Sequence, residues 1–405
     1  MIKRNNIKTL ILFFIILLIS ILLTGCWRNV DITEIGIATA VGIDLTENGN
    51  VKLTVQLVKP NVVKAQARGS QESPVWIYSS EGESVFSAIR NLLTTVNRKT
   101  FFSHVQLMVI NEDVARKGIM NILDLFERDK ETNKMASLII AKGITAREVL
   151  MAESELETIA SMHISAILKN YADVAKIKEI SLMELIKCLN YPGFSPAIGV
   201  IKLKKKDEKN RSVQENSSSK EINKLNIKDF TVQGTAVFEK DRLVGWFDEL
   251  ETRGLLFAIS KLKSGIINVK NPLKREKTVA FEITKSQGKM DAEINEDGGV
   301  KFIVGVKAQG RMAEQQGRGK LVTPEMVRSL EKSVASVIEK NIRLAITKAQ
   351  WEYKSDVFGF LKILYQDHYQ YWKQIEDNWD GIFSNAPVEV KVEWKTVSSS
   401  QIRSQ

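Results

Sequence analysis

Apolar residues alternate with polar ones in some stretches of the chain and recur at three- and four-residue steps in others. That contrast separates strands from helices. At 35–44, Ile35, Ile37, Val41 and Ile43 share one face, with small residues between them. Thr46-Glu47-Asn48-Gly49-Asn50 supplies turn chemistry, and Val51, Leu53, Val55 and Leu57 then alternate with Lys52, Thr54 and Gln56. The pattern predicts a β-hairpin. Further strands are expected at 75–79, 104–110 and 137–141. Ser84 can cap a helix carrying Val85, Phe86, Ile89, Leu92, Leu93 and Val96 on one stripe. Asn111 can cap another, with Val114, Ile119, Ile122, Leu123 and Phe126 inward. From 145 to 190 the pattern is helical, and Pro192-Gly193 ends it.

The second half repeats the logic with more strand. Strands are expected at 230–238, 242–246, 278–284 and 301–309. Thr323-Pro324-Glu325 then opens a long helix, with Thr323 as cap and Pro324 at the first position. Its stripe is Val327, Leu330, Val334, Val337, Ile338, Ile342 and Ile346, on a rod of about 38 Å for about 25 residues. Val388, Val390, Val392 and Trp394 alternate with Glu389, Lys391, Glu393 and Lys395, a last strand with one wet face. Residues 202–224 hold almost no apolar side chains and read as a charged linker or loop. The expected class is α+β in three mixed α/β domains, the C-terminal one a mostly antiparallel sheet packed by a long helix. The expected divisions are 1–25 (signal peptide), 26–144 (mixed α/β), 145–201 (mainly helical), 202–224 (linker), 225–397 (C-terminal α+β) and 398–405 (tail).

The N-terminus changes the picture. Lys3, Arg4 and Lys8 precede an apolar run at 10–23, broken only by Ser20. Those 14 residues suit a secretory h-region and fall short of the about 20 needed to span a bilayer. The run stops at Leu23-Thr24-Gly25-Cys26, which resembles the bacterial lipobox. The resemblance implies a diacylglyceryl group on the Cys26 thiol, cleavage that leaves Cys26 first, and an N-acyl chain. The alternative is an uncleaved anchor helix with an incidental cysteine. The formal net charge is +10, and +7 (10 − 3) without Lys3, Arg4 and Lys8. On a protein outside the cytoplasm this points to anionic headgroups or wall polymers, and no nucleic-acid partner is expected. Cys188, the other cysteine, lies in a helical pattern as a buried thiol. With Cys26 lipidated, no intramolecular disulfide remains.

Candidate chemistry is sparse. His104, His163 and His368 are far apart, without metal-ligand spacing. His104 enters an expected strand as a structural residue. His368 lies among Tyr365, Tyr369, Tyr371, Trp372, Ile375 and Trp379, a stripe that either packs or offers an aromatic platform. No G-x-S-x-G elbow or P-loop occurs, and no carboxylate pair is marked out. No enzyme, no metal and no cofactor beyond the lipid on Cys26 is expected.

Several stretches together resemble one family, the Ger(x)C lipoproteins that serve as C subunits of spore germinant receptors. They are Gly25-Cys26-Trp27, Asp31 with Glu34, Ala40-Val41-Gly42-Ile43-Asp44, Phe102-Ser103-His104-Val105-Gln106, Ala115-Arg116-Lys117-Gly118-Ile119 and Phe126-Glu127-Arg128-Asp129. In the second half they are Gly234-Thr235-Ala236-Val237-Phe238, Leu243-Val244-Gly245-Trp246, Glu251-Thr252-Arg253-Gly254, Asp356-Val357-Phe358-Gly359 and the segment 372–379. The resemblance implies a lipid-anchored, non-enzymatic subunit on the outer face of the spore inner membrane. Its implied partners are membrane lipid and the membrane-embedded A and B subunits. Within the resembling blocks, His104, Trp246, Glu251, Arg253 and Gly254 are the candidate structural or partner-facing residues, with 251–254 expected as a turn. The reading from another class is an extracytoplasmic solute-binding lipoprotein of a transporter. The hairpin and the strand-rich second half argue against its two parallel βαβ lobes.

Overall fold

The computed structural model describes residues 9–17, 35–59, 73–153, 159–170, 174–191, 194–204, 229–317 and 323–397. Leu23, Thr24, Gly25 and Cys26, and the linker from 205 onward, lie outside the described residues.

The first sheet runs in the order β3 (Val75–Gly82), β2 (Val51–Val58), β1 (Ile35–Leu45), β5 (Leu107–Asn111), β6 (Ser137–Ala141), β7 (Ala197–Leu203), β8 (Phe230–Glu239), β9 (Arg242–Phe247), with β4 (Lys99–Phe101) beside β1. The expected hairpin pairs Val41 with Val55 and Ile43 with Leu53. The centre, β1-β5-β6-β7, is parallel and covered on both faces. That explains why β5 and β6 read as unbroken apolar runs. On one face lie α1 (Val85–Leu92), α2 (Glu112–Lys117), α3 (Met120–Arg128) and α6 (Leu182–Leu189), packing Leu92, Phe126 and Leu185 against Ile43, Ile110 and Ile140. On the other lie α4 (Ala146–Met151) and α5 (Ala160–Lys169), with Leu150 and Leu168 against Val109 and Ile139. Ser84 and Asn111 cap helices as expected, accepting from the backbone N–H of Ser87 and Asp113, but the single helix expected after Asn111 is two, α2 and α3, broken at Gly118, whose φ is +123°.

Three further elements differ from expectation. The strand at 104–110 begins only at Leu107, because Val105 N–H bonds back to the Phe102 carbonyl (3.1 Å) and turns the chain. Among its described residues the stretch 145–190 holds the helices α4, α5 and α6, packed on the first sheet; before α6 an extended segment bridges Ile177 to Gly234. Strands β8 and β9, expected in the C-terminal domain, complete the first sheet. β8 pairs antiparallel with β7, Ala197 opposite Val237, so the sheet runs across the boundary expected at 225.

The second sheet is β10 (Gly265–Lys270), β11 (Thr278–Ile294), β12 (Val300–Gln315) and β13 (Val388–Thr396), antiparallel except for the β12–β13 pair. The long helix α8 (Pro324–Thr347) covers it as expected, capped by Thr323, with Leu330, Val334, Ile338 and Ile342 buried. Each such side chain contributes about 1.5–3 kcal/mol by leaving water. The helix widens into a π turn (Lys348–Tyr353) and stops at Lys354, whose φ is +51°. Next come α9 (Phe360–Asp367), α10 (Tyr369–Ile375) and α11 (Trp379–Asn385). The aromatic stripe packs: Trp372 and Trp379 are buried, and Tyr365 meets Trp372 edge-on at 4.8 Å. His368 sits at the break between α9 and α10.

Asp356 holds the corner before α9. Its carboxylate accepts the backbone N–H groups of Gly359 (2.8 Å), Phe360 (3.1 Å) and Leu361 (2.8 Å). Its carbonyl accepts Ser195 N–H (3.3 Å), and the neighbouring Ser355 hydroxyl donates to the Phe238 carbonyl of β8. The corner therefore ties the second sheet's helices to the first sheet. Burial pushes the Asp356 pKa up to about 6, against the pull of those N–H groups. A raised carboxyl pKa favours the native state below the unfolded value and loses that advantage as pH rises to the native one. Wild type should therefore lose stability relative to Asp356→Asn between about pH 4 and pH 6, by up to about 3 kcal/mol at about 1.4 kcal/mol per unit. Urea unfolding of both proteins at the two ends of that range checks it; a difference that does not change with pH contradicts it.

Candidate functional site

Four of the five candidate residues outside the lipobox meet where β9 hands over to helix α7 (Glu249–Ala258). Asp248 caps α7 by accepting the backbone N–H groups of Leu250 (2.8 Å) and Glu251 (2.9 Å), and Glu251 reaches back to Asp248 N–H (2.7 Å). This is a capping box. Residues 251–254 are thus helical, which corrects the expected turn. The Asp248-x-x-Glu251 spacing is the signal that could have found it.

Each residue of Glu251-Thr252-Arg253-Gly254 touches a different element. The Glu251 carboxylate meets the Lys348 ammonium of the π turn at 3.0 Å. The Thr252 hydroxyl donates to the Thr235 hydroxyl of β8 (3.0 Å), both residues being fully buried. Arg253 donates to the Ile266 carbonyl of β10 (3.2 Å) and to Glu249 on its own helix (3.4 Å). Burial lowers the Arg253 pKa, with Glu249 opposing. At Gly254 the two helices nearly touch backbone to backbone: a Cβ there would lie 2.0 Å from the Asn341 carbonyl oxygen of α8. The fit is imperfect, because Arg253 Nε and Asn341 Nδ2 are buried without a protein partner.

Trp246 joins the same junction through its backbone. β9 is an edge strand, and the Tyr353 hydroxyl takes the place of a neighbouring strand there. It accepts Trp246 N–H (3.1 Å) and donates to the Trp246 carbonyl (2.9 Å), which also receives Lys348 Nζ (3.0 Å). The Tyr353 ring reaches that position only because residue 245 is glycine; a Cβ would lie 2.1 Å from the ring. The Lys142 ammonium stands 4.3 Å over the Trp246 ring. Burial draws the Lys348 pKa down, but its hydrogen bond to Glu251 and the carboxylate's charge leave it raised, so the cation is held. With side chains 25% and 13% exposed, the Lys348–Glu251 pair is screened less than a surface pair.

Beside the junction, a groove of about 640 Å³ runs along α8 past Lys340, Arg343 and Leu344 to Trp351, which is 74% exposed. His104 is not part of this assembly. It is exposed on the turn after β4, its ring 6.0 Å from Phe101. Gly245, Asn341, Lys348 and Tyr353 were not among the candidates, because their partners are distant in sequence. Among the described residues, no group of three His, Cys, Asp or Glu side chains is placed to hold a metal. Chemically, the arrangement is a clamp: charge-assisted hydrogen bonds and close helix packing join one sheet to the other.

The clamp predicts a position-specific cost. Gly254→Ala must push α7 away from α8 and should destabilise the protein by about 3 kcal/mol. Gly305→Ala, where the nearest atom to a Cβ is 3.7 Å away, should stay within about 0.5 kcal/mol of wild type. Equal urea midpoints for the two variants would refute the close-packing account.

Comparison with known proteins covers nearly the whole chain. Residues 28–203 match the family model described as the spore germination protein N-terminal domain, and residues 233–400 match the one described as spore germination B3/GerAC-like, C-terminal. The two models meet near the charged linker in sequence, although the first sheet crosses it in space. Spore germination protein KC of Bacillus subtilis (strain 168) is 26% identical over 394 residues, spanning 96% of this chain and 95% of that protein. Spore germination protein B3 of the same organism is 22% identical over 396 residues, spanning 96% and 98%. The crystal structure of the GerBC protein superposes with a TM-score of 0.55 at 20% identity, covering 88% of this chain and 97% of that one.

Proposed function

Because this chain belongs to the Ger(x)C family of spore germinant receptor C subunits, we propose that it is the lipid-anchored C subunit of a nutrient germinant receptor in the spore inner membrane, where it scaffolds or gates the complex. The observation that carries this reading is the match of both halves, 28–203 and 233–400, to germination-protein models. In this reading Cys26 carries the diacylglyceryl and N-acyl chains and lies at the outer face of the membrane, with the folded body in water beyond it. More than one acyl chain gives stable attachment where a single chain is marginal. Among the described residues no helix is long and apolar enough to cross a membrane. Tethering gives the folded body a high effective concentration beside the membrane-embedded A and B subunits, so modest contacts suffice for assembly.

The clamp around α7 supports a mechanical, non-catalytic role. A scaffold transmits force or position only if its parts move together, and here the two sheets share hydrogen bonds, an ion pair and a backbone contact. The solute-binding alternative is less well supported: one sheet has a parallel centre, but the other is antiparallel apart from its β12–β13 pair.

The test is nutrient-triggered germination in a strain lacking other receptors, with Cys26→Ala beside a full deletion. Both should germinate poorly while vegetative growth stays normal. Normal germination of the deletion strain across a broad nutrient panel would overturn the receptor reading, and normal germination of Cys26→Ala alone would overturn the anchor.

A further inference from the structure

A cleft of about 810 Å³ opens on the seam between the two sheets, away from the α7 clamp's polar contacts. One wall comes from the first sheet's side: α6, the segment before it and the loop leading to β7. The other comes from the second sheet's side: the end of α7, the middle of β11 and the start of α9. The volume is that of a small-molecule site, typically about 300–1,000 Å³. The walls are apolar, with Ile186, Phe194, Met290 and Phe358 among them.

The charge of the lining is one-sided. Lys178, Lys187, Lys261 and Lys362 face the cleft, with Glu184 as the one carboxylate among the described residues. Glu184 is already engaged: it pairs with Lys261 at 3.5 Å and closes the capping box of α6. Lys178 is the deepest of the cations. Its ammonium donates to the Glu179 backbone carbonyl, while the Glu179 carboxyl accepts from the Ser137 hydroxyl (3.2 Å). Among the described residues no carboxylate forms an ion pair with Lys178. Burial pulls the Lys178 pKa down, with the charges of Glu184 and Glu179 opposing; both carboxylates are engaged elsewhere, by Lys261 and by Ser137, so the buried cation is only partly compensated. An anion at this point would complete the compensation.

We propose that this cleft binds a small amphipathic anion: a carboxylate on a compact aliphatic or aromatic body, its head at Lys178 and its body against Ile186, Phe194, Met290 and Phe358. Such an occupant touches both sheets at once. Its binding energy adds to the stability of the docked arrangement by mass action, so the seam becomes responsive to a ligand.

The experiment uses the full chain in nonionic detergent and 4-benzoylbenzoate, a photoreactive aromatic carboxylate, as probe. Labelled peptides are mapped by mass spectrometry, with 4-phenylbutyrate and the neutral 4-phenylbutanol as competitors. Labelling should saturate, fall on 178–197 and 357–366, and be displaced by the butyrate but not the butanol. Lys178→Met should cut it about tenfold, equivalent to about 1.4 kcal/mol. Ile363→Trp, which fills the cleft from its half-buried wall, should abolish it while circular dichroism stays native; this second variant decides the matter if the first does not fold. Labelling that does not saturate, or that folded variants leave unchanged, would overturn the proposal.

Discussion

The close approach of α7 to α8 at Gly254 is the constraint from which the rest of the architecture follows. No side chain fits between Gly254 and the Asn341 carbonyl, so the helices meet at backbone distance. Once that crossing is set, the neighbours of Gly254 reach their partners. Thr252 finds Thr235 on the first sheet, Arg253 finds the Ile266 carbonyl on the second, and Glu251 finds Lys348 where α8 becomes a π turn. The π turn in turn delivers Tyr353 to the open edge of β9, where its hydroxyl satisfies the Trp246 backbone that no strand covers. The Ser355–Asp356 corner adds a second tie, to Phe238 and Ser195.

Much of the fold was legible in the pattern of apolar positions, because half-buried strands and amphipathic helices announce their period. The hairpin of β1 and β2, the capped helix after Ser84, the long helix after Thr323 and the final strand all stand where the period puts them, while the stripe after Asn111 runs on through the break at Gly118 into a second helix. What the pattern could not carry was partnership. Residues 230–247 read as strands, but nothing local says that β8 pairs with β7 across the charged stretch; that pairing is a long-range hydrogen-bond choice. The helical period over 145–190 likewise hid an extended segment, because Ile177 and Ile180 are buried apolar residues there and short apolar runs do not distinguish the two conformations.

The site shows the same division. Trp246, Glu251, Arg253 and Gly254 could be singled out one by one, yet their convergence depends on contacts as far as 107 residues away in the chain. His104 was singled out on the same footing and stands apart on an exposed turn. Lys348 and Tyr353 carry no local signal, since a lysine and a tyrosine after a long helix are ordinary. The cleft at Lys178 is less visible still, because separate segments from both halves build it. For a subunit proposed to scaffold or gate a complex, this is the expected arrangement: what matters is how distant segments are held together.

With the clamp in place the two sheets behave as one body. Native-state hydrogen exchange on the full chain measures it directly, by comparing the slowest-exchanging amides of β5 and β6 with those of β11 and β12. If the clamp unites the sheets, both sets should exchange through the same global opening, with equal free energies and equal dependence on denaturant. Separate opening energies for the two sheets, with the second losing protection while the first keeps it, would contradict the account.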